Sequence, residues 1–275
     1  MPVAIVTDST AALPAELSAG ITVVPLTVVV DGRAGQEGVD VSTADVAAAL
    51  SVRRATVTTS RPAPEQFAAE YRRLLDGGAD GVASIHLSAR LSGTADAAAL
   101  AAADFGDRVA VIDSRSAGMG LGFVVASAAA HAEDLSTVRA AARDAIDRTT
   151  VLFYVDTLEH MRRGGRIGAA SAFVGTALSV KPILHMSGGE VVLKEKVRTA
   201  SRALARIVDL AGEFAGGSTV DIAVQHLAAA GRAEQLGQAL GSRLPVRHTY
   251  LSEVGAVLGA HAGPGLVCAV IHRIG

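Results

Sequence analysis

The chain has 275 residues, 25 Lys and Arg against 27 Asp and Glu (net charge −2), 50% apolar residues and 3% aromatics. An apolar half argues against a disordered chain, which lacks the surface needed to offset ordering entropy. Near-neutral charge and few aromatic rings argue against a general nucleic-acid binder, which neutralises phosphates or stacks bases.

In chain order, Val3–Val6 is predicted as a buried strand. The opening stretch has no basic region and places Asp8 where a leader would be apolar. The next strand is Val23–Val30; the apolar run around it, Ile21–Val30, falls short of the ~20 residues of a membrane helix. Pro64–Leu75 is a predicted helix, with Pro in its first turn and Phe67, Tyr71, Leu74 and Leu75 on one face. Strands are predicted at Val82–Leu87, Val109–Ile112, Leu152–Val155, Ile183–Met186, Val220–Val224 and Val267–Ile271. Between them lie predicted helices at Ser92–Ala103, Leu121–Ala132, Ser136–Arg148, Thr199–Phe214 and Ala233–Leu240. Gly188-Gly189-Glu190 reads as a hairpin turn into Val191–Lys194, so some antiparallel pairing is expected in the second half. Strand–helix alternation with continuous apolar strands predicts an α/β fold of mainly parallel sheets flanked by helices. The polar stretch Arg143–Thr150 divides it into expected domains at 1–150 and 151–275.

Several chemistries lack their residues. No G-x-x-x-x-G-K-[ST] loop, G-x-S-x-G elbow or H-E-x-x-H pair occurs, and the eight histidines show no metal-ligand spacing. Gly118, Gly120 and Gly122 are separated from the preceding strand by Ser114–Ala117, so close helix packing is expected there rather than a dinucleotide site. Cys268, the single cysteine, has no partner for an intrachain disulfide, which fits a reducing compartment.

Four polar islands follow apolar strands, where open α/β sheets gather their ligands. Thr59 and Ser60, before Pro62, either end a strand or offer hydroxyls to a ligand. Ser92, Gly93 and Thr94 open a helix, as ordinary caps or as an anion site at its positive end. Arg166 follows a glycine pair and is either a solvated arginine or a fixed fork for a carboxylate or phosphate. His261 stands in a turn shaped by Gly263-Pro264-Gly265, suited to a structural bond or to an anionic ligand. Asp8 and Asp113 end strands, as caps or as acid–base groups.

Together these segments form an ordered set: VTDSTAALP, TTSRP, LSARLSGT, VIDSRSAGMGLG, LEHMRRGGRI, VKPIL, VRT and HAGPG. In this order they resemble the DegV family, whose members include the fatty-acid-binding subunits of bacterial fatty acid kinase. The resemblance runs from Val3 to about Ile271. It implies two α/β domains with a lipid between them. It also implies a long-chain fatty acid as the ligand with no further cofactor or metal, and a carboxylate held by Thr59 or Ser60, Ser92 with Gly93 and Thr94, Arg166 and His261. A fatty acid kinase catalytic subunit, met by Arg166 and Arg198, would supply ATP and form the acyl-phosphate. The chain departs from the family pattern at Arg61, where Gln is frequent, at Ala89, where a second Ser is common, and at Ala95, where an aromatic often follows. The expectation is a cytoplasmic lipid carrier rather than an enzyme, without nucleic-acid binding or stable membrane insertion. The alternatives are a small-molecule transferase or hydrolase using Asp8, Asp113 and His261, and a lipid-sensing regulator without a kinase.

Overall fold

A computed structural model describes residues 3–52, 55–168, 170 and 180–275. The first sheet has the order β2-β1-β6-β7, from β1 (Ala4–Asp8), β2 (Ile21–Val24), β6 (Val82–His86) and β7 (Val109–Asp113). All three of its pairings are parallel. Alternation along each strand gives it two apolar faces, as an internal parallel sheet requires. Val6 and Val82 pack on Phe67, Tyr71, Ala97 and Ala101 of α2 (Pro64–Asp76) and α3 (Thr94–Ala102). Ile5, Ala83 and Ile85 pack on Leu121, Val125, Val138 and Ala142 of α4 (Met119–Ala129) and α5 (Leu135–Asp147).

The expected strand Val23–Val30 is two strands. Pro25 has no N–H to donate to a ladder, and the chain changes sheets there. β3 (Thr27–Val30) joins β4 (Arg33–Gln36) and β5 (Val57–Ser60) in a small antiparallel sheet. Its apolar face, with Leu26 and Val28, packs on Val46 of α1 (Thr43–Ser51) and on Ala256, Val257 and Ala260 of α9 (Ala256–Ala262). A late segment of the chain thus seats itself against an early one.

The second sheet has the order β10-β9-β8-β13-β11-β12, from β8 (Thr149–Tyr154), β9 (Lys181–Ser187), β10 (Glu190–Val197), β11 (Val220–His226), β12 (Val246–Glu253) and β13 (Val267–Arg273). Parallel pairing, expected to dominate, is here confined to β11–β12; β8–β9, β9–β10, β8–β13 and β11–β13 are antiparallel. The expected hairpin at Gly188–Gly189 is present, with Glu190 opposite Ser187. The rest follows from the chain path: the last strand inserts between β8 and β11 and runs against both.

One face of this sheet is covered by α7 (Ala200–Ala215) and α8 (Ala230–Arg243), through Leu204, Ile207, Leu236 and Leu240. The other face carries Val151, Phe153, Leu184, Ala223, Cys268 and Val270 and meets Met119 and Phe123 of α4. That inner face is where the cavity forms. Among the described residues no helix is long and apolar enough to cross a membrane.

Candidate functional site

A cavity lies on the inner face of the second sheet; its lining residues and open mouth together enclose about 910 Å³ of empty space. Val151, Phe153 and Cys268 form its floor, Leu26, Val257 and Leu258 one wall, and Met161, Met186 and Val191 another. Strand register explains the floor: Phe153 pairs with Cys268, and Cys268 with Gln225, so the three form one row across β8, β13 and β11. Burial pushes the Cys268 thiol up to about 12, so it is neutral wall material rather than a nucleophile.

Polar side chains gather at one end: Thr59, Ser60, Arg61, Ser92, Arg166 and His261. They come from β5, the turn before α3, the loop after α6 (Glu159–Arg163), and α9. Thr59 Oγ1 and His261 Nε2 share a hydrogen bond of 2.8 Å across 202 residues of chain. Arg166 Nε donates to the Leu91 carbonyl at 3.0 Å, and Nη1 donates to the Gly164 carbonyl at 2.6 Å. Two of the five guanidinium N–H groups thereby fix the fork. Burial, and then the Arg166 charge, push the His261 imidazole down to about 4, so the ring is neutral at pH 7.

The glycine pair before Arg166 has two separate causes. Gly165 takes φ +69°, which disfavours a side chain, and Gly164 makes room. A Cβ on Gly164 would lie 2.2 Å from His261 Nδ1. The Arg166 loop and the His261 helix therefore touch through bare backbone.

Ser92 Oγ and Thr94 Oγ1 are 2.8 Å apart; Ser92 lines the cavity, and Thr94 is fully buried beside it. Gly93 is the N-cap of α3, and its carbonyl accepts from Arg61 Nη1 at 3.2 Å. Arg61, which the sequence marks only as a departure, thus covers the first turn of α3 and lines the cavity. Arg198 is exposed between β10 and α7, away from the lining. Of the other basic residues, Arg162 and Arg163 share Glu159 at 2.8 Å each.

Asp8 and Asp113 do not join His261. Asp8 is fully buried and accepts from the Thr10 amide and hydroxyl, the Leu87 amide and His86 Nδ1. His86 Nε2 continues to Ser84 Oγ at 2.6 Å, and Tyr71 OH donates to the same oxygen at 2.7 Å. This chain ties β1, β6 and α2 together beneath their packed faces; its order resembles a hydrolytic triad, but the serine is fully buried. Asp113 Oδ1 accepts from the Arg115 and Ala89 amides, closing the turn after β7. Neither carboxylate lines the cavity in which His261 stands.

The Gly118, Gly120, Gly122 run serves packing, as expected. A Cβ on Gly120 would meet Ser116 Oγ at 2.1 Å and Val151 Cγ2 at 2.5 Å; one on Gly122 would meet the Ala11 carbonyl at 2.9 Å. Among the described residues no group of three or more His, Cys, Asp or Glu is placed to hold a metal ion.

Comparison with known proteins gives this geometry a context. The DegV family profile (uncharacterised protein, DegV family COG1307) matches residues 2–273. A DegV domain-containing protein of Streptomyces coelicolor is 54% identical, with 98% of each chain covered. One of Mycobacterium tuberculosis is 40% identical, over 97% of this chain and 96% of that one. Among solved structures, a DegV family protein from Thermus thermophilus, described as binding fatty acid, superposes with a TM-score of 0.94 at 35% identity, over the whole of both chains. DegV of Bacillus subtilis, described as a fatty acid binding protein, superposes with a TM-score of 0.89 at 32% identity, again over both whole chains. With its fold, its ordered motifs and these matches in agreement, the chain belongs to the DegV family.

Proposed function

We propose that this chain binds a long-chain fatty acid, burying the hydrocarbon in the cavity and holding the carboxylate at its polar end. The carrying observation is the lining: mostly apolar along the floor and walls, with the polar side chains gathered at one end apart from Gln225, whose amide is engaged by the Met119 N–H and Ser252 Oγ. A sixteen-carbon acid has about fifteen hydrocarbon carbons, worth ~0.8 kcal/mol each, or roughly 12 kcal/mol gross. Ordering the chain offsets several of these. The tail supplies affinity, and the head group must be satisfied, because a bare buried carboxylate costs more than the tail returns.

Arg166 carries the charge opposite the carboxylate, with three N–H groups beyond the two engaged by backbone. Neutral His261, Thr59 and Ser92 complete the hydrogen bonds, with Ser60 and Arg61 at the rim and Gly93 and Thr94 supporting Ser92. Residues 1–150 and 151–275 act in this reading as two domains closing on the ligand. The carboxyl end stays addressable, so a partner fatty acid kinase supplied with ATP converts it to acyl-phosphate, docking through Arg166 and Arg198. Long-range attraction by exposed arginines speeds such an encounter.

Asp8 and Asp113 are occupied by their own networks, which favours this reading over a hydrolase or transferase built on them with His261. A lipid-sensing regulator would share the cavity and differ only in partner. The test is extraction of the purified protein with organic solvent, followed by mass spectrometry and rebinding. Ser92→Ala and His261→Ala are expected to weaken retention of a fatty acid and leave that of a matched alkane unchanged. Protein that carries no lipid and ignores added fatty acid refutes the reading; equal losses for acid and alkane refute head-group anchoring. Acyl-phosphate formation with the host's fatty acid kinase and ATP, lost in Arg198→Glu, tests the partner.

A further inference from the structure

Two arginines hold the same turn. Arg166 Nε donates to the Leu91 carbonyl at 3.0 Å, and Arg61 Nη1 donates to the Gly93 carbonyl at 3.2 Å. Those carbonyls belong to the residues on either side of Ser92, whose Cα atoms lie at most about 7 Å apart. Ser92 lines the cavity, and so do both arginines. Arg61 arrives from the end of β5 and Arg166 from the loop after α6, so two separate segments place a guanidinium at one serine. Arg61 Nη1 occupies the space that a side chain on residue 93 would take, 2.2 Å from an added Cβ.

The charges at this end do not balance. Among the described residues neither guanidinium is in an ion pair, and no Asp or Glu borders the cavity. Neighbouring arginines are neutralised: Arg162 and Arg163 share Glu159, and Arg90 pairs with Glu190 at 2.8 Å. His261 is neutral beside Arg166 and adds no charge. Two positive charges therefore face the head group, and a carboxylate returns only one. Arg61, which carries the surplus, is exposed. A head group that reaches it keeps water on one side and avoids most of the cost of burying a second charge.

We propose that Arg61 makes the polar end selective for a doubly charged head group, a phosphate monoester on a single alkyl chain, over a singly charged one. This rests on the fatty-acid reading above for the cavity and adds a head-group specificity to it. A planar guanidinium fork matches the oxygens of such a group. Coulomb attraction scales with charge, so contact with Arg61 counts twice for a dianion. An exposed charge pair is worth up to about fivefold in affinity, so Arg61 adds up to about fivefold for a monoanion and about twenty-five-fold for a dianion.

The test equilibrates delipidated protein at pH 8 with hexadecanoic acid, hexadecyl sulfate and hexadecyl phosphate, each below its micelle concentration, and quantifies the bound lipids by mass spectrometry. The second proton of an alkyl phosphate, with a pKa of about 6, is gone at that pH. Sulfate has the shape of phosphate and the charge of carboxylate, so the phosphate-to-sulfate ratio reads charge alone. Wild type is expected to favour the phosphate. Arg61→Gln is expected to lower the ratio about fivefold, the share of one exposed charge pair. Arg61→Lys, which keeps the charge, is expected to hold the ratio near wild type, and high salt to shrink the gap between the two variants. A lysophosphatidate of the same chain length separates the sources of the phosphate. Tighter hexadecyl phosphate assigns a phosphate carried directly on the chain, tighter lysophosphatidate one carried across a glycerol, and either upholds the charge preference. Wild-type protein that retains hexadecanoic acid but favours the sulfate over the phosphate, or shows a ratio unmoved by Arg61→Gln, overturns this inference and leaves the fatty-acid reading standing. Wild-type protein that retains none of the three lipids overturns both.

Discussion

Gly164→Ala isolates the contact that joins the Arg166 loop to His261. Gly164 has φ −73° and ψ −9°, ordinary right-handed geometry that alanine accepts without strain. The added methyl would sit 2.2 Å from His261 Nδ1 and 3.0 Å from Cε1. The ring cannot yield freely, because Nε2 is bonded to Thr59 and the residue is half-buried in the cavity wall. Overpacking of this kind costs about 1–3 kcal/mol. For a chain of this size that lowers Tm by a few degrees to about ten. Thermal and urea unfolding of Gly164→Ala, His261→Ala and the double variant measure it as a cycle. The double variant is expected to recover most of the loss caused by Gly164→Ala, since the ring it collides with is gone. Gly165→Ala, with φ +69° and open space around the position, should cost about 1 kcal/mol whether or not His261 is present. Equal destabilisation by Gly164→Ala in both backgrounds would refute the proposed contact.

His261 also makes stability depend on pH. Its folded-state value, about 4, lies below the unfolded value of about 6.5, so the unfolded chain binds the extra proton. Its contribution is present above pH 6.5 and is lost as pH falls toward 4, by roughly 3 kcal/mol at most. Urea titrations at pH 7 and 4.5 should show a smaller difference in His261→Phe than in wild type; an unchanged difference argues against a buried neutral imidazole. Tyr71→Phe removes the donor at the end of the Tyr71–Ser84–His86–Asp8 chain, and a loss of roughly 1–2 kcal/mol is expected by urea unfolding. A wild-type midpoint would show that this chain contributes no stability.

Much of the fold is readable from periodicity. The helix at Pro64 and those following Asp134 and Thr199 begin within a residue or two of their expected starts, because a proline in the first turn of the one, an acid or hydroxyl cap on the other two, and apolar faces on all three point the same way. What periodicity does not show is short or marginal. α1 is nine residues, four of them alanine, with only Val46 buried, yet Ser42 and Asp45 form a capping box that marks its start. α9 is seven residues between Gly255 and Gly263, too short for an apolar stripe. β12 is an edge strand with a mostly exposed, polar sequence. The candidate site divides in the same way. Ser92, Arg166 and His261 stand out as polar residues on turns after apolar strands. Leu26, Phe153, Met186 and Cys268 read as ordinary core, and nothing in their spacing separates a cavity wall from a packed interior.

By itself the sequence determined the alternation of strands and helices, the Gly188–Gly189 hairpin, the ordered motifs that place the chain in its family, and the residue types offered to a ligand. Those follow from local periods, turn chemistry and motif order, which a linear chain carries. Tertiary structure decided that the second sheet is mostly antiparallel, that α9 crosses to the small sheet and brings His261 to Thr59, and that Asp8 is spent inside a buried network. It also decided where packing stops short and leaves a cavity. Each of these depends on which faces meet between segments far apart in the chain, and local propensity holds no information about that meeting.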